Sequence, residues 1–292
     1  MNYREAIKRR FSIRHYEPKP VPEEILEAIK KAGKSCTALD SSIKVNCHLI
    51  REGKGVADQM TFQTGRSWLF GSALHFIIAT AEEKPGFMLE TGFRMEQVIL
   101  LATKHSLGTC WIGGLFIEEK MSSFLKLAIN ERVIAITPLG YPDTSFYGRT
   151  VHSVMHVAAP GSQRRKPLSQ IVCGSKFGSA LETNDQALLE VLECTRLAPS
   201  WTNSQPWRFL VDGNQIIALA EIRSSRFYHG KHYYRLDVGI AMSHFYLAAK
   251  ELGWKGKWQV AGFDPAQIAR EYVVPAGYEV LGIYNRSKRS HT

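Results

Sequence analysis

Leu101-Ala102-Thr103-Lys104, followed by Leu107-Gly108, has a near copy in Leu247-Ala248-Ala249-Lys250, followed by Leu252-Gly253. Each closes a long apolar run with a lysine and then a glycine, the signature of a buried helix stopped by a turn. A second pair precedes them in the same order. Ile25-Leu26-Glu27-Ala28-Ile29 corresponds to Leu188-Leu189-Glu190-Val191-Leu192. One short apolar match arises by chance. Two in the same order, with similar strands after them, point to an internal repeat. The boundary is predicted near Arg165–Ile171, which divides the chain into 1–167 and 168–292. A length of 292 residues suits two such units.

The rest of the chain fits around these pairs. In the first half, helices are predicted over Arg4–Arg10, from Glu23 onward, and over Arg94–His105. Strands are predicted at Leu74–Thr80 and Val133–Leu139, the latter stopped by Gly140-Tyr141-Pro142-Asp143. In the second half, helices are predicted at Gln186–Leu197 and Gly239–Leu252, with a last strand at Tyr278–Tyr284. Phe209–Asp212 and Ile216–Ala220 flank Gly213-Asn214, a two-residue hairpin turn.

Composition narrows the class. Hydrophobic residues are 45% and charged residues 22%, which supplies a core and excludes disorder and collagen-like repeats. The longest apolar stretch, near Ala73–Ala81, is far short of the ~20 residues of a spanning helix, so no membrane partner is expected. Met1-Asn2-Tyr3-Arg4-Glu5 lacks the apolar run of a signal peptide. Five cysteines form no CxxC pair, so reduced thiols in a cytoplasmic protein are expected rather than zinc or a disulfide framework. The net charge of +10 points to an anionic partner: nucleic acid, a membrane surface or a phosphorylated small molecule.

Four phrases concentrate donors. Arg9-Arg10-Phe11-Ser12-Ile13-Arg14 ends the first helix. Arg10 and Arg14, four apart, share a face if that helix continues, and two guanidiniums with a hydroxyl match a phosphate dianion. The same phrase also suits a solvated basic helix end. Gly108-Thr109-Cys110-Trp111-Ile112-Gly113-Gly114 permits close backbone approach, or is a plain turn. Arg164-Arg165-Lys166-Pro167 is a second basic phrase. Ala198-Pro199-Ser200-Trp201-Thr202-Asn203-Ser204-Gln205-Pro206-Trp207 is the most specific: two prolines stiffen a polar loop that carries amides and a hydroxyl between two tryptophans. Other candidates are weaker. His152 and His156 lie four apart without a Glu or Cys partner, so no metal is expected. His229–Tyr234 is basic and aromatic but stands in no nucleic-acid fold motif, so it reads as a loop near a ligand mouth. The tail Arg286–His291 reads as a solvated, frayed end.

These phrases resemble the flavin-binding elements of the nitroreductase family, the FMN-dependent NAD(P)H oxidoreductases. The family's Arg-x-Ser-x-Arg/Lys phrase is matched by Arg10, Ser12 and Arg14, and its Pro-Ser-x-x-Asn-x-Gln-Pro-Trp phrase by Pro199, Ser200, Asn203, Gln205, Pro206 and Trp207. The Gly-rich phrase is matched around Ile112, Gly113 and Gly114, the Gly-Tyr-Pro turn by Gly140-Tyr141-Pro142, and the late basic pair by Arg164 and Lys166. The resemblance implies an α+β, nitroreductase-like fold with two pseudo-symmetric α/β sandwich halves in one chain.

The order of the phrases departs from an ordinary subunit. The slot after the first Arg-x-Ser-x-Arg reads Lys34-Ser35-Cys36-Thr37-Ala38-Leu39-Asp40-Ser41, a degenerate loop, and the good copy sits in the second half. Family members are homodimers whose FMN sits between subunits, so the resemblance implies a fused, monomeric pseudo-dimer with one intact FMN site per chain. It assigns Arg10, Phe11, Ser12, Arg14, Arg164 and Lys166 to the phosphate and ribityl end. It assigns Ile112, Gly113 and Gly114 to the N5/O4 edge of the flavin, and Pro199, Ser200, Trp201 and Asn203 to its other end. It further implies ping-pong hydride transfer from NAD(P)H through flavin N5 to a nitro, quinone or other small acceptor, with no catalytic side chain. The alternative is an FMN-binding protein or pseudo-enzyme with little turnover, since Trp201 stands where many relatives carry a small residue.

Overall fold

The computed structural model describes residues 1–59, 72–114, 116–145, 164–224 and 231–287. The first helix, α1 (Tyr3–Arg9), starts at a capping box in which Asn2 and Glu5 exchange side-chain and backbone hydrogen bonds. Then come α2 (Glu23–Ser35), β1 (Val45–Ile50), α3 (Gly53–Gln59), β2 (His75–Glu82), α4 (Phe87–Lys104), β3 (Gly108–Thr109), α5 (Glu118–Ser122) and β4 (Glu131–Gly140). The remainder holds α6 (Leu168–Ile171), β5 (Val172–Cys173), α7 (Gln186–Arg196), a 3₁₀ turn at Trp201–Asn203, β6 (Trp207–Asp212) and β7 (Gln215–Glu221). It ends with α8 (Tyr233–Glu251), β8 (Trp258–Gln259), α9 (Pro265–Glu271) and β9 (Tyr278–Asn285).

The strands form two sheets, ordered β1-β2-β4-β3 and β5-β6-β7-β9-β8. Without β5, a short parallel addition to the edge of β6, the second order repeats the first, antiparallel throughout. The irregularities repeat too. The β2–β4 register slips past Ile134 and the β7–β9 register slips past Leu281, two positions 147 residues apart.

The central helices α4 and α8 cross at a pair of glycines. A Cβ on Gly92 would stand 2.1 Å from the Leu236 carbonyl oxygen, and one on Gly239 would stand 2.1 Å from that of Leu89. Such reciprocity defines an isologous contact, here between two halves of one chain. Only glycine lets the two backbones approach this closely. The main hydrophobic core runs from Ala6 and Leu26 through Phe93 and Val98 to Phe209, Phe245 and Tyr284, so it joins both halves, and a smaller cluster lies on the far face of each sheet, around Phe76 and Ile136 in one and Leu219 and Ile283 in the other.

Several expectations need correction. The predicted starts of the central helices, at Arg94 and Gly239, lie inside the helices, which begin at Phe87 and Tyr233. Neither start has a side-chain cap, and each helix buries an acid within its first five residues, Glu90 and Asp237, so the periodic pattern is broken there. Strand β1 was not anticipated. The expected frayed tail is anchored at its start: Arg286 lies 2.6 Å from Asp185, and its guanidinium sits 3.8 Å from the Trp254 ring centroid. His152, His156, His229, Gly230 and residues 288–292 lie outside the described residues. No helix among the described residues is long and apolar enough to cross a membrane.

Candidate functional site

Helix α1 ends at Arg9. Arg10 turns extended, at φ −62° and ψ 125°, so the helix does not carry Arg10 and Arg14 onto one face. The chain instead runs alongside β3: Ser12 bridges Thr109, and the Ile13 amide donates to the Thr109 carbonyl at 2.9 Å. Phe11 is exposed, while Arg10 is only 9% exposed. Its Nε and Nη1 are buried with no hydrogen-bond partner among the described residues. Burial holds its pKa below the ordinary arginine value, Glu96 and Cys110 oppose the shift, and Arg14 adds to it. A buried cation with unused donors and a like-charged neighbour is the electrostatic complement of an anion.

The second basic phrase does not stay together. Arg164 is exposed, and its carbonyl accepts from Asn203 Nδ2 at 2.7 Å and from Gln205 Nε2 at 3.1 Å. Arg165, which lies in the basic phrase but is not one of the two residues the resemblance assigns to the phosphate, turns inward. Its Nη1 donates to Asn203 Oδ1 at 2.7 Å. Burial first, then repulsion from Arg10 and Arg196, lowers its pKa to about 10. Lys166 turns elsewhere, with Nζ 3.3 Å from the Gln205 carbonyl. The structure therefore brings Arg165 into electrostatic reach of Arg10 and parts Lys166 from it.

The Pro199–Trp207 loop is braced internally. Ser200 Oγ accepts from the Gln205 amide at 2.9 Å, and Gln205 Oε1 accepts from the Lys166 amide at 2.8 Å. Thr202, Asn203 and Gln205 have φ of 51°, 57° and 47°, left-handed positions on either side of a right-handed Ser204, in a loop that these bonds brace. The loop is fastened to α8 by Asp237, whose Oδ1 accepts from the Trp201 amide at 3.1 Å. Burial pushes Asp237 up to about 8. In the first half Glu90 does the same work. Its Oε2 accepts from the Leu39 and Asp40 amides at 2.9 Å, and burial pushes it up to about 7. Glu90 and Asp237 are 147 residues apart, the spacing of the crossing glycines. Sequence reasoning missed this pair; an acid two residues before each glycine of an apolar helix was the available signal.

The Gly-rich phrase of the first half meets α8 of the second. A Cβ on Gly113 would stand 2.5 Å from the Tyr233 ring, and the Gly114 amide donates to the Tyr233 hydroxyl at 2.9 Å. The Ile112 amide is bonded to Ile136, so two of the three expected backbone donors are used within the chain. The Trp201 ring lies 5.8 Å from that of Tyr233. Trp111 Nε1 donates to Glu96 at 2.7 Å, and Glu96 pairs with His244 at 2.8 Å, both carboxylate and imidazole being fully buried. Residues from both halves thus converge on one region: Arg10, Trp111, Gly113 and Gly114 from one side, Trp201, Asn203 and Tyr233 from the other.

A family model described as "Putative TM nitroreductase" matches residues 2–249 of this chain. The chain belongs to that nitroreductase family. It is an oxidoreductase by that membership. A "Putative NADH dehydrogenase/NAD(P)H nitroreductase" of Methanothermobacter thermautotrophicus is 29% identical over 150 residues, covering 49% of this chain and 78% of that protein. One relative therefore accounts for about half of this nitroreductase-family chain. A "putative nitroreductase" of Thermotoga maritima MSB8 shares the fold along the whole length, with a TM-score of 0.58 at 21% identity, covering 98% of this chain and 93% of that one. An "FMN-dependent Nitroreductase" of Clostridium difficile R20291 covers 48% of this chain and 87% of its own, at 21% identity and a TM-score of 0.41.

Proposed function

We propose that this chain is an FMN-dependent NAD(P)H oxidoreductase that holds one FMN between its halves, divided at 167/168, and works as a monomeric pseudo-dimer. The observation that carries the reading is the Arg10 guanidinium, buried with two nitrogens unpartnered among the described residues and with Arg14 and Arg165 in electrostatic reach. A phosphate dianion supplies the missing acceptors. Arg10, Ser12, Arg14 and Arg165 hold that end, with Phe11 as exposed apolar cover. Arg164, through its carbonyl, and Lys166, through its amide, brace Asn203 and Gln205. Trp111, Gly113, Gly114, Tyr233, Pro199, Ser200 and Trp201 wall the ring end. The Ile112 and Gly114 amides are already bonded, so that wall contributes shape and apolar surface. When bound, FMN supplies hydride acceptance from NAD(P)H and delivery to a small nitro, quinone or similar acceptor; the protein binds and orients. The Lys34–Ser42 loop has no matching cation phrase in the sequence, which supports a single site.

A yellow purified protein that NADH or NADPH bleaches anaerobically supports this reading. Failure to take up FMN on reconstitution overturns it. The Tyr233 hydroxyl on the Gly114 amide favours a second reading, an FMN binder with little turnover. Yellow protein that neither nucleotide bleaches would select it.

A further inference from the structure

The 164–166 phrase sends adjacent side chains to different places. Arg165 joins Arg10, whereas Lys166 joins Arg208 on β6 and Arg223 beyond β7. Lys166 Nζ and Arg208 Nη1 both donate to the Gln205 carbonyl, each at 3.3 Å. Arg208 also donates to the Trp207 carbonyl at 2.7 Å. Glu221 lies 2.9 Å from Arg223 and 3.7 Å from Arg208. The buried Asp237 is in electrostatic reach of Arg223. Three cations therefore face one accessible carboxylate. Arg223 Nε is buried with no hydrogen-bond partner among the described residues. Burial lowers Lys166, as do Arg208 and Arg223, against Glu221. Crowded like charges with spare donors are relieved by a dianion. The Arg208 guanidinium lies 5.9 Å from the Tyr278 ring centroid, and the Phe177 ring packs against Tyr278, tilted by 58° with centroids 4.8 Å apart. Aromatic surface thus adjoins the charge, as nucleotide recognition uses it.

We propose that Lys166, Arg208 and Arg223 form a second phosphate-binding subsite, beside the Pro199–Trp207 loop, which takes the ribose 2′-phosphate of NADPH. This rests on the oxidoreductase reading above and adds to it a preference for NADPH over NADH. The phosphomonoester is the chemistry that separates the two nucleotides, and Arg forks suit it.

The test is a calorimetric titration of the full chain with adenosine 2′,5′-bisphosphate, 5′-AMP and inorganic phosphate. The bisphosphate is expected to bind at least ~10-fold tighter than either, and Arg208→Gln and Arg223→Gln should each remove most of that difference, a lost charged hydrogen bond being enough. In the flavin-loaded protein the NADPH/NADH ratio of kcat/KM should fall ~10-fold or more in each variant, with FMN content unchanged. Equal binding of bisphosphate and 5′-AMP overturns the proposal. So does inorganic phosphate matching the bisphosphate, or a difference that survives in folded Arg223→Gln. A chain that takes no FMN yet discriminates the bisphosphate keeps this subsite and sinks the flavin reading.

Discussion

Replacing Arg10 by Met separates a ligand-binding arginine from a structural one, because the two roles give opposite signs. Met keeps most of the side-chain volume in a site only 9% exposed. Nε and Nη1 are buried without hydrogen-bond partners among the described residues. An orphaned donor costs about 1–3 kcal/mol. The Glu96 carboxylate offsets part of that, but burial is the larger effect on Arg10. The flavin-free Arg10→Met protein should therefore be more stable than wild type by about 1–3 kcal/mol, the scale of one relieved donor. With FMN the sign reverses. Two lost charged hydrogen bonds remove about 3–6 kcal/mol, or roughly 10²–10⁴-fold in Kd. Urea unfolding of flavin-free protein and FMN fluorescence quenching measure the two quantities. A variant that unfolds earlier than wild type and binds FMN as tightly would refute the reasoning.

Further outcomes follow from the same geometry. Titration with FMN should saturate at one per chain, and saturation at two would revive the Lys34–Ser42 site. Gly239→Ala should destabilise by about 1–3 kcal/mol or more by overpacking, since its Cβ would stand 2.1 Å from the Leu89 oxygen; chemical denaturation decides. Burial pushes Asp237 up to about 8 in the fold, well above the ordinary aspartate range, so it binds a proton more tightly when folded and its stabilising contribution is lost as pH rises through that window. Asp237→Asn should thus gain stability relative to wild type between about pH 4 and 8, at up to about 1.4 kcal/mol per pH unit, and level off above; a flat difference curve would contradict the burial argument. Residues 168–292 expressed alone should show no cooperative unfolding transition, because the core is shared with the first half.

Much of the fold was legible in local sequence. The hairpin at Gly213 and the stop of α8 at Gly253 are set by turn chemistry and apolar runs near each residue, whereas α4 ends at Lys104 with Ser106, not the expected Gly108, in the left-handed region at φ 61°. The starts of α4 and α8 were not legible, because Glu90 and Asp237 are polar yet buried, fixed by loops about 50 and 36 residues away in sequence. The site divides the same way. The Arg-x-Ser-x-Arg and Pro-Ser phrases stand out by composition. Which of Arg164, Arg165 and Lys166 turns toward Arg10 did not, since that depends on where the Asn203 and Gln205 side chains already lie.

The sequence by itself determined the repeat and the phrases that carry charge and amides, because these depend on residue type and spacing, and through those phrases the family resemblance that implied the class of the fold. Only the tertiary structure decided that Gly92 and Gly239 seat each half against the other, that Arg165 faces Arg10 while Lys166 faces Arg208 and Arg223, and that Tyr233 claims the Gly114 amide. Each of these is a contact across the pseudo-dimer or between distant loops. Direction and burial there are fixed by packing rather than by neighbours along the chain.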